Sequence, residues 1–264
     1  MRYTIVSRND PLSKQVEKSL DERLTRVNSI RDDHNPEVVI TVGGDGTVLE
    51  AVHNYLDRLE KVVFVGIHTG KLGFYADYIY DDIDTFIQNV ISNKYNDVSF
   101  PLLSATIYYQ DREEHYLALN EFTLINPYRT QHLDVYINDE YFESFQGTGL
   151  CISTPTGSSA FNKSLGGALI HPHIKAFQLT EIASINSNVY RTISSPLIFP
   201  KEHFITLKPT SYSDIIFTID HKNITLKNYQ LFKFQLSDKE VRFRHYNNND
   251  FWRRVKKSFL PENM

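Results

Sequence analysis

A single cysteine, Cys151, leaves the chain without an internal disulfide, which fits a reducing compartment. Its neighbours Leu150 and Ile152 are apolar, so buried packing suits this thiol better than nucleophilic chemistry. No apolar run reaches the length that crosses a bilayer, and Met1 to Ser7 has the texture of a strand rather than of a signal peptide. A cytoplasmic protein with no membrane partner is expected. An excess of basic residues is also missing: the formal charge of −4 gives no footprint for nucleic acid. An anionic ligand must therefore be held by local groups, not by the field of the whole protein. Internal repeats and low-complexity segments are absent. What remains is 264 residues of ordinary globular composition, enough for two modest domains or one large one.

Against that background the stretch Gly43-Gly44-Asp45-Gly46-Thr47 stands out. It follows the β-branched run Val38–Val42 and precedes Val48, Leu49, Val52, Tyr55 and Leu56 at helical spacing. The pattern reads as buried strand, glycine loop and amphipathic helix. Glycines let main-chain N–H groups approach an anion, and the helix start behind them favours phosphate, so Gly43, Gly44, Gly46 and Thr47 form a candidate phosphate loop. Asp45 is electrostatically wrong for a pure phosphate cradle, which points to a second task, proton acceptance or metal binding. The Rossmann fingerprint fails because its third glycine position is Leu49. Gly66 to Leu72 is one residue short of a Walker A loop and lacks its magnesium-binding hydroxyl. A plain turn with Asp45 as N-cap is the alternative, but three glycines in four positions exceed what a turn needs.

The first hundred residues alternate strand and helix: strands at 3–6, 38–42 and 62–67, helices at 11 to about 28, after the glycine loop, and at 83–91. This predicts an α/β, Rossmann-like domain over 1–100 with a parallel sheet and ligands at the strands' carboxyl ends. Thr69 to Tyr75 follows such an end. Near Pro101 the texture changes to short β-rich runs, among them 105–109, 116–119, 122–125 and 133–137, with Asn138-Asp139 as a hairpin turn. Further strands are predicted at 204–207, 215–219 and 232–236. A β-rich domain over 101–264 is expected, with the aromatics of Phe251 to Val255 packing back onto the body.

Three further segments carry chemistry. Ser153-Thr154-Pro155-Thr156-Gly157-Ser158-Ser159-Ala160-Phe161 sets hydroxyls around a proline and a glycine, donors suited to an anion or a sugar. Asn120-Glu121 offers an amide for a base edge and a carboxylate for sugar hydroxyls. Asp220-His221 ends the run 215–219. His171-Pro172-His173 has no third ligand nearby, and no protein metal site is expected.

Taken together and in this order, the four segments resemble the NAD kinase family, best its short bacterial form. The similarity extends through His68 to Phe74, Ser164 to Pro172 and Glu181 to Asn186, and so spans most of the chain. The resemblance implies phosphoryl transfer from ATP to the adenosine 2′-hydroxyl of NAD, with magnesium accompanying ATP. It implies a homo-oligomer, often a tetramer. By motif match Asp45 would be the base, with Gly46 in the same loop. Asn120 and Glu121 would hold adenine and ribose, and Phe74, Thr156 and Ser159 would line the adenine pocket. Ala160, Phe161, Asn162, Lys163, Ser164 and Ala183 would contact the remainder of the dinucleotide, and His221 a ribose.

The chain also departs from the family. Gln146-Gly147-Thr148-Gly149 replaces an Arg-Gly-Asp-Gly pattern, and Phe161 replaces a tyrosine, keeping a stacking face but losing a hydroxyl. Weaker or altered NAD binding is expected from these changes, with chemistry retained through Asp45. A lipid or sugar kinase with the same glycine loop, and a non-catalytic dinucleotide-binding module, are the competing readings.

Overall fold

The runs Val38–Gly43 and Val63–His68 have no polar face, and both strands they form are buried end to end. Such strands need cover on both sides, which is the position of inner strands in a parallel α/β sheet. The structure, a computed structural model, describes residues 1–70, 73–93, 95–211, 214–245 and 250–260. Lys71 and Leu72, part of the loop singled out above, lie outside the described residues. The chain divides into two units, Met1–Phe100 with Glu240–Met264, and Pro101–Lys239.

The first unit begins with β1 (Arg2–Ser7), α1 (Pro11–Arg26), β2 (Ile30–Arg31), β3 (Val38–Gly43) and α2 (Asp45–Asn54). It continues with β4 (Val63–His68), β5 (Ala76–Ile79), α3 (Ile83–Ser92) and the start of β6 (Asn96–Tyr108). Strands pair in parallel in the order β2-β1-β3-β4, with β5 added in parallel to the carboxyl half of β4. The Asp10 side chain accepts the Ser13 amide to cap α1, and Pro11 occupies its first turn. Val16, Leu20 and Leu24 form its buried stripe. The helix stops short of Asn28, which enters the left-handed region at φ 59°.

The second unit is antiparallel. It contains β7 (Glu113–Ala118), β8 (Glu121–Ile125), β9 (Gln131–Ile137), β10 (Glu140–Ser153), the single turn α4 (Phe161–Ser164) and β11 (Ala176–Ser184). It closes with β12 (Leu197–Pro200), β13 (Phe204–Pro209), β14 (Ile215–Ile219), β15 (Lys222–Leu226) and the first part of β16 (Leu231–His245). The run of neighbours is β15-β14-β8-β10-β9-β13-β16. Asn138 and Asp139 are both left-handed, at φ 49° and 68°, and join β9 to β10 as a two-residue loop whose twist matches the strands. The core is aromatic: Phe122 stacks on Phe217, and Phe217 on Phe232.

The span 101–264 divides at Glu240, since the rest of β16 and α5 (Phe251–Phe259) group with the first unit. There Phe243 pairs with Phe64 in β4 and packs against the rings of Phe64, Tyr75 and Phe100 at centroid distances of 5.9, 5.3 and 5.8 Å. Of the terminal aromatics, Phe251 is buried whereas Trp252 stays 53% exposed, so the inward packing expected of both holds only for the first. Truncation of Phe243 to alanine is expected to cost about 3–5 kcal/mol in denaturant unfolding, because three rings lose a partner at once. Trp252→Ala should stay within about 0.5 kcal/mol of the parent.

Candidate active site

The glycine loop lies at the carboxyl end of β3, where the backbone turns into α2. A side chain at Gly43 would collide with the Thr47 hydroxyl, so this first glycine serves the turn itself. Gly44 and Gly46 differ: among the described residues a Cβ at either would meet nothing within 4 Å, which leaves room beside the main chain at the helix start. Thr47 is buried, and its amide is already given to the Gly44 carbonyl.

Asp45 opens α2 and is half-buried. Its Oδ2 accepts the Phe74 amide at 2.9 Å; its Oδ1 accepts the Phe74 and Tyr75 amides at 3.1 and 3.3 Å. An ionised carboxylate has about four acceptor directions, so one on Oδ2 remains for a further proton. The segment that donates these amides follows β4, and it can come this close only because residue 73 is glycine: a Cβ there would run into the Asp45 carboxylate. His68, at the end of β4 and paired with Gly43, is 4% exposed. Its Nδ1 faces the Gly70 carbonyl at 2.8 Å and its Nε2 has no partner among the described residues. Burial depresses its pKa, favouring the neutral ring.

In the second unit the Asn120–Glu121 turn is held from two sides. Asp220, left-handed at φ 52°, accepts the amides of Leu119, Asn120 and Glu121 at 2.9, 2.7 and 3.2 Å. The hydroxyls of Thr154 and Thr156 donate to the Leu119 carbonyl at 2.6 and 2.9 Å. Gly157 lies so close that a Cβ would strike the Asn120 carbonyl. The hydroxyl-rich loop and the Asn-Glu pair are thus one constellation within this unit. Glu121 is 7% exposed, and its Oε2 has no partner among the described residues. Burial, with Asp220 nearby, pushes its pKa up to about 8. A protonated Glu121 offers an O–H donor as well as acceptors.

The remaining sequence-predicted residues are spread over the same unit. Ser159 is buried, its hydroxyl donating to the Thr156 carbonyl. Asn162 is 0% exposed, its Oδ1 accepting from Thr180, so this side chain has no surface to offer a ligand. Phe161 and Ser164 are exposed, Ala160 and Lys163 half-buried. Ala183 is exposed and left-handed at φ 46°, a costly conformation for alanine. His221 is exposed in the turn after Asp220. Phe74 belongs to the first unit, where its ring stacks on Phe259 at 5.8 Å and meets the tilted ring of Phe251 at 6.1 Å. Sequence reasoning missed Gly73, Tyr75 and Thr154 as structural parts of these sites. A glycine just before Phe74 was the available signal. Cys151 is fully buried and its thiol pKa is raised by burial, as expected of packing.

Residues 5–95 match the ATP-NAD kinase N-terminal domain and residues 119–246 the ATP-NAD kinase C-terminal domain. An NAD kinase of Staphylococcus carnosus is 43% identical over 265 residues, covering 99% of this chain and 98% of that one. NAD kinase 1 of Listeria monocytogenes is 45% identical over 264 residues, covering 99% and 100%. Among solved structures, yeast NADH kinase complexed with NADH has a TM-score of 0.83 at 17% identity, covering 100% of this chain and 89% of that one. An Archaeoglobus fulgidus NAD kinase in complex with ATP has a TM-score of 0.74 at 20% identity, covering 97% and 99%. The fold is therefore that of kinases acting on a dinucleotide, an α/β part followed by a β-rich part. The chain belongs to the NAD kinase family. That membership leaves the lipid- or sugar-kinase alternative without support.

Glu121 yields a test independent of catalysis. Its folded pKa lies above the ordinary 4.5, so the contribution of Glu121 to stability is fully present at low pH and falls as pH rises from about 4.5 to about 8. Glu121→Gln cannot ionise. The thermal midpoint of Glu121→Gln relative to the parent should therefore climb between those two pH values and level off above; a flat difference would show that Glu121 ionises normally.

Proposed function

We propose that this protein is an NAD kinase that moves the γ-phosphoryl group of ATP to the adenosine 2′-hydroxyl of NAD, with Asp45 as the base. The observation that carries the reading is the Asp45 carboxylate, held by two main-chain amides at the start of α2 beside the open faces of Gly44 and Gly46. A free aspartate, with a pKa of about 3.9, does not ionise an alcohol beforehand. In a loose phosphoryl-transfer transition state the hydroxyl acidifies as its oxygen bonds to phosphorus, and a fixed carboxylate takes the proton late. Fixing the carboxylate in advance removes an orientational cost from that step.

The second unit supplies nucleoside recognition. Asn120 presents an amide to adenine, and Glu121 accepts from or donates to ribose hydroxyls. Thr156 and Ser159 belong to the adenine side; Ala160, Phe161, Lys163, Ser164, Ala183 and His221 to the rest of the dinucleotide. Asn162 supports this region from within through Thr180. Phosphates of the donor are assigned to Gly44, Gly46 and the start of α2, with Gly43 and Thr47 shaping the turn. Among the described residues no group of three or more His, Cys, Asp or Glu side chains could hold a metal ion. The magnesium ion is assigned to the triphosphate it accompanies, bound mainly through substrate oxygens. A homotetramer and a cytoplasmic location belong to the same proposal. Among the described residues no helix is long and apolar enough to cross a membrane.

Incubation with NAD, ATP and magnesium should produce NADP. Asp45→Asn should lower turnover about a thousandfold with NAD binding retained. Unchanged turnover would remove Asp45 from the mechanism, and no NADP from the parent protein would favour the non-catalytic module. Thr148→Asp, which restores the acid of the family pattern, should tighten NAD binding by about tenfold in calorimetry. Unchanged or poorer binding would separate Thr148 from the dinucleotide.

A further inference from the structure

We propose that Arg254, in α5, is a positioning residue for phosphoryl transfer, acting on Asp45 through the peptide group that joins Gly73 to Phe74. This rests on Asp45 being the base. The geometry is a relay across one planar unit. Arg254 Nη1 donates to the Gly73 carbonyl at 3.0 Å, and the N–H of that same peptide, belonging to Phe74, donates to Asp45. The amide is planar and resonance-coupled, so tilting either end tilts the other. A donor on the carbonyl also polarises the N–H toward its acceptor.

The guanidinium is itself fixed. Its Nη2 donates to Asp77 Oδ1 at 2.9 Å, and Asp77 Oδ2 pairs with His245 Nδ1 at 2.6 Å. The Asp77 side chain is 2% exposed and Arg254 is 9% exposed. Burial depresses the arginine pKa while Asp77 and Asp45 favour the charged form. Asp77 sits three residues beyond Phe74 on β5. One side chain thus holds two points of the segment that closes over Asp45, using two nitrogens set apart on a planar fork, a spacing that the single nitrogen of a lysine lacks.

Simple anchoring of α5 does not require this arrangement. Phe251 and Phe259 already seat the helix on the Phe74 ring. An arginine buried among carbonyl and carboxylate oxygens carries a desolvation cost that a methionine there would avoid. Its return is the orientation of the Gly73–Phe74 peptide.

The experiment compares the parent, Arg254→Met and Arg254→Lys for kcat, for KM of NAD and ATP, and for thermal midpoint, with exchange of the Phe74 amide followed by NMR. Arg254→Met should lose about 10- to 100-fold in kcat, the scale of a misplaced catalytic group. Both KM values should stay within about threefold, because substrate binding is not what the relay serves. Phe74 amide exchange should rise about tenfold or more while β3 amides keep their protection. Arg254→Lys, with charge but no fork, should fall between the two. A folded Arg254→Met with parental kcat, a loss confined to KM, or an unchanged Phe74 exchange rate overturns the proposal. If Arg254→Met does not fold, Arg254→Lys decides on the same three readouts. Asp45→Asn separates the layers: full activity in that variant removes the base itself, whereas an inactive Asp45→Asn beside a fully active Arg254→Met removes only the relay.

Discussion

Main-chain amides aimed at carboxylates organise both halves of this protein. Asp45 takes the amides of Phe74 and Tyr75, and Asp220 takes those of Leu119, Asn120 and Glu121. In each case a short acid fixes backbone that leads into a strand, and charge-assisted bonds of this kind are about twice as strong as neutral ones. The glycines follow from the same constraint. Gly73 exists to admit the Asp45 carboxylate, and Gly157 to admit the Asn120 carbonyl.

The acids differ in what they are given. Asp220 receives three amides, while Glu121, beside it, receives none on Oε2 and is pushed up to about 8. A neutral glutamic acid presents a donor and acceptors together, which suits vicinal sugar hydroxyls. Arg254 is the opposite case, a buried cation kept charged by Asp77. The polar interior is selective: burial is matched with partners where position matters and left unmatched where protonation matters.

Much of this was legible in the sequence because its signals were local. The all-apolar runs gave β3 and β4, Asn138-Asp139 gave its hairpin, and Gly43 to Thr47 marked the loop before α2. The family resemblance carried the reading of activity. Strands escaped notice where apolar residues were diluted by charge. The second half of β16, Ser237 to His245, buries Val241, Phe243 and His245 in alternation, but Asp238, Lys239 and Glu240 before them and Arg242 and Arg244 between them hid the period of two. β11 was hidden by its mixed composition. The buttress of Asp45 was not legible at all, since an arginine in a short terminal amphipathic helix reads as a solvated charge until tertiary contact buries it.

That buttress joins residues 181 and 177 positions apart, Arg254 with Gly73 and with Asp77. Between Asp77 and Arg254 the ribosome must make the whole β-rich unit. At about 5–20 residues per second the glycine loop waits roughly 10–40 seconds before its clamp exists. A nascent chain therefore carries Asp45 on a half-built scaffold until Arg254 has been made, and competence waits for the segment that comes back.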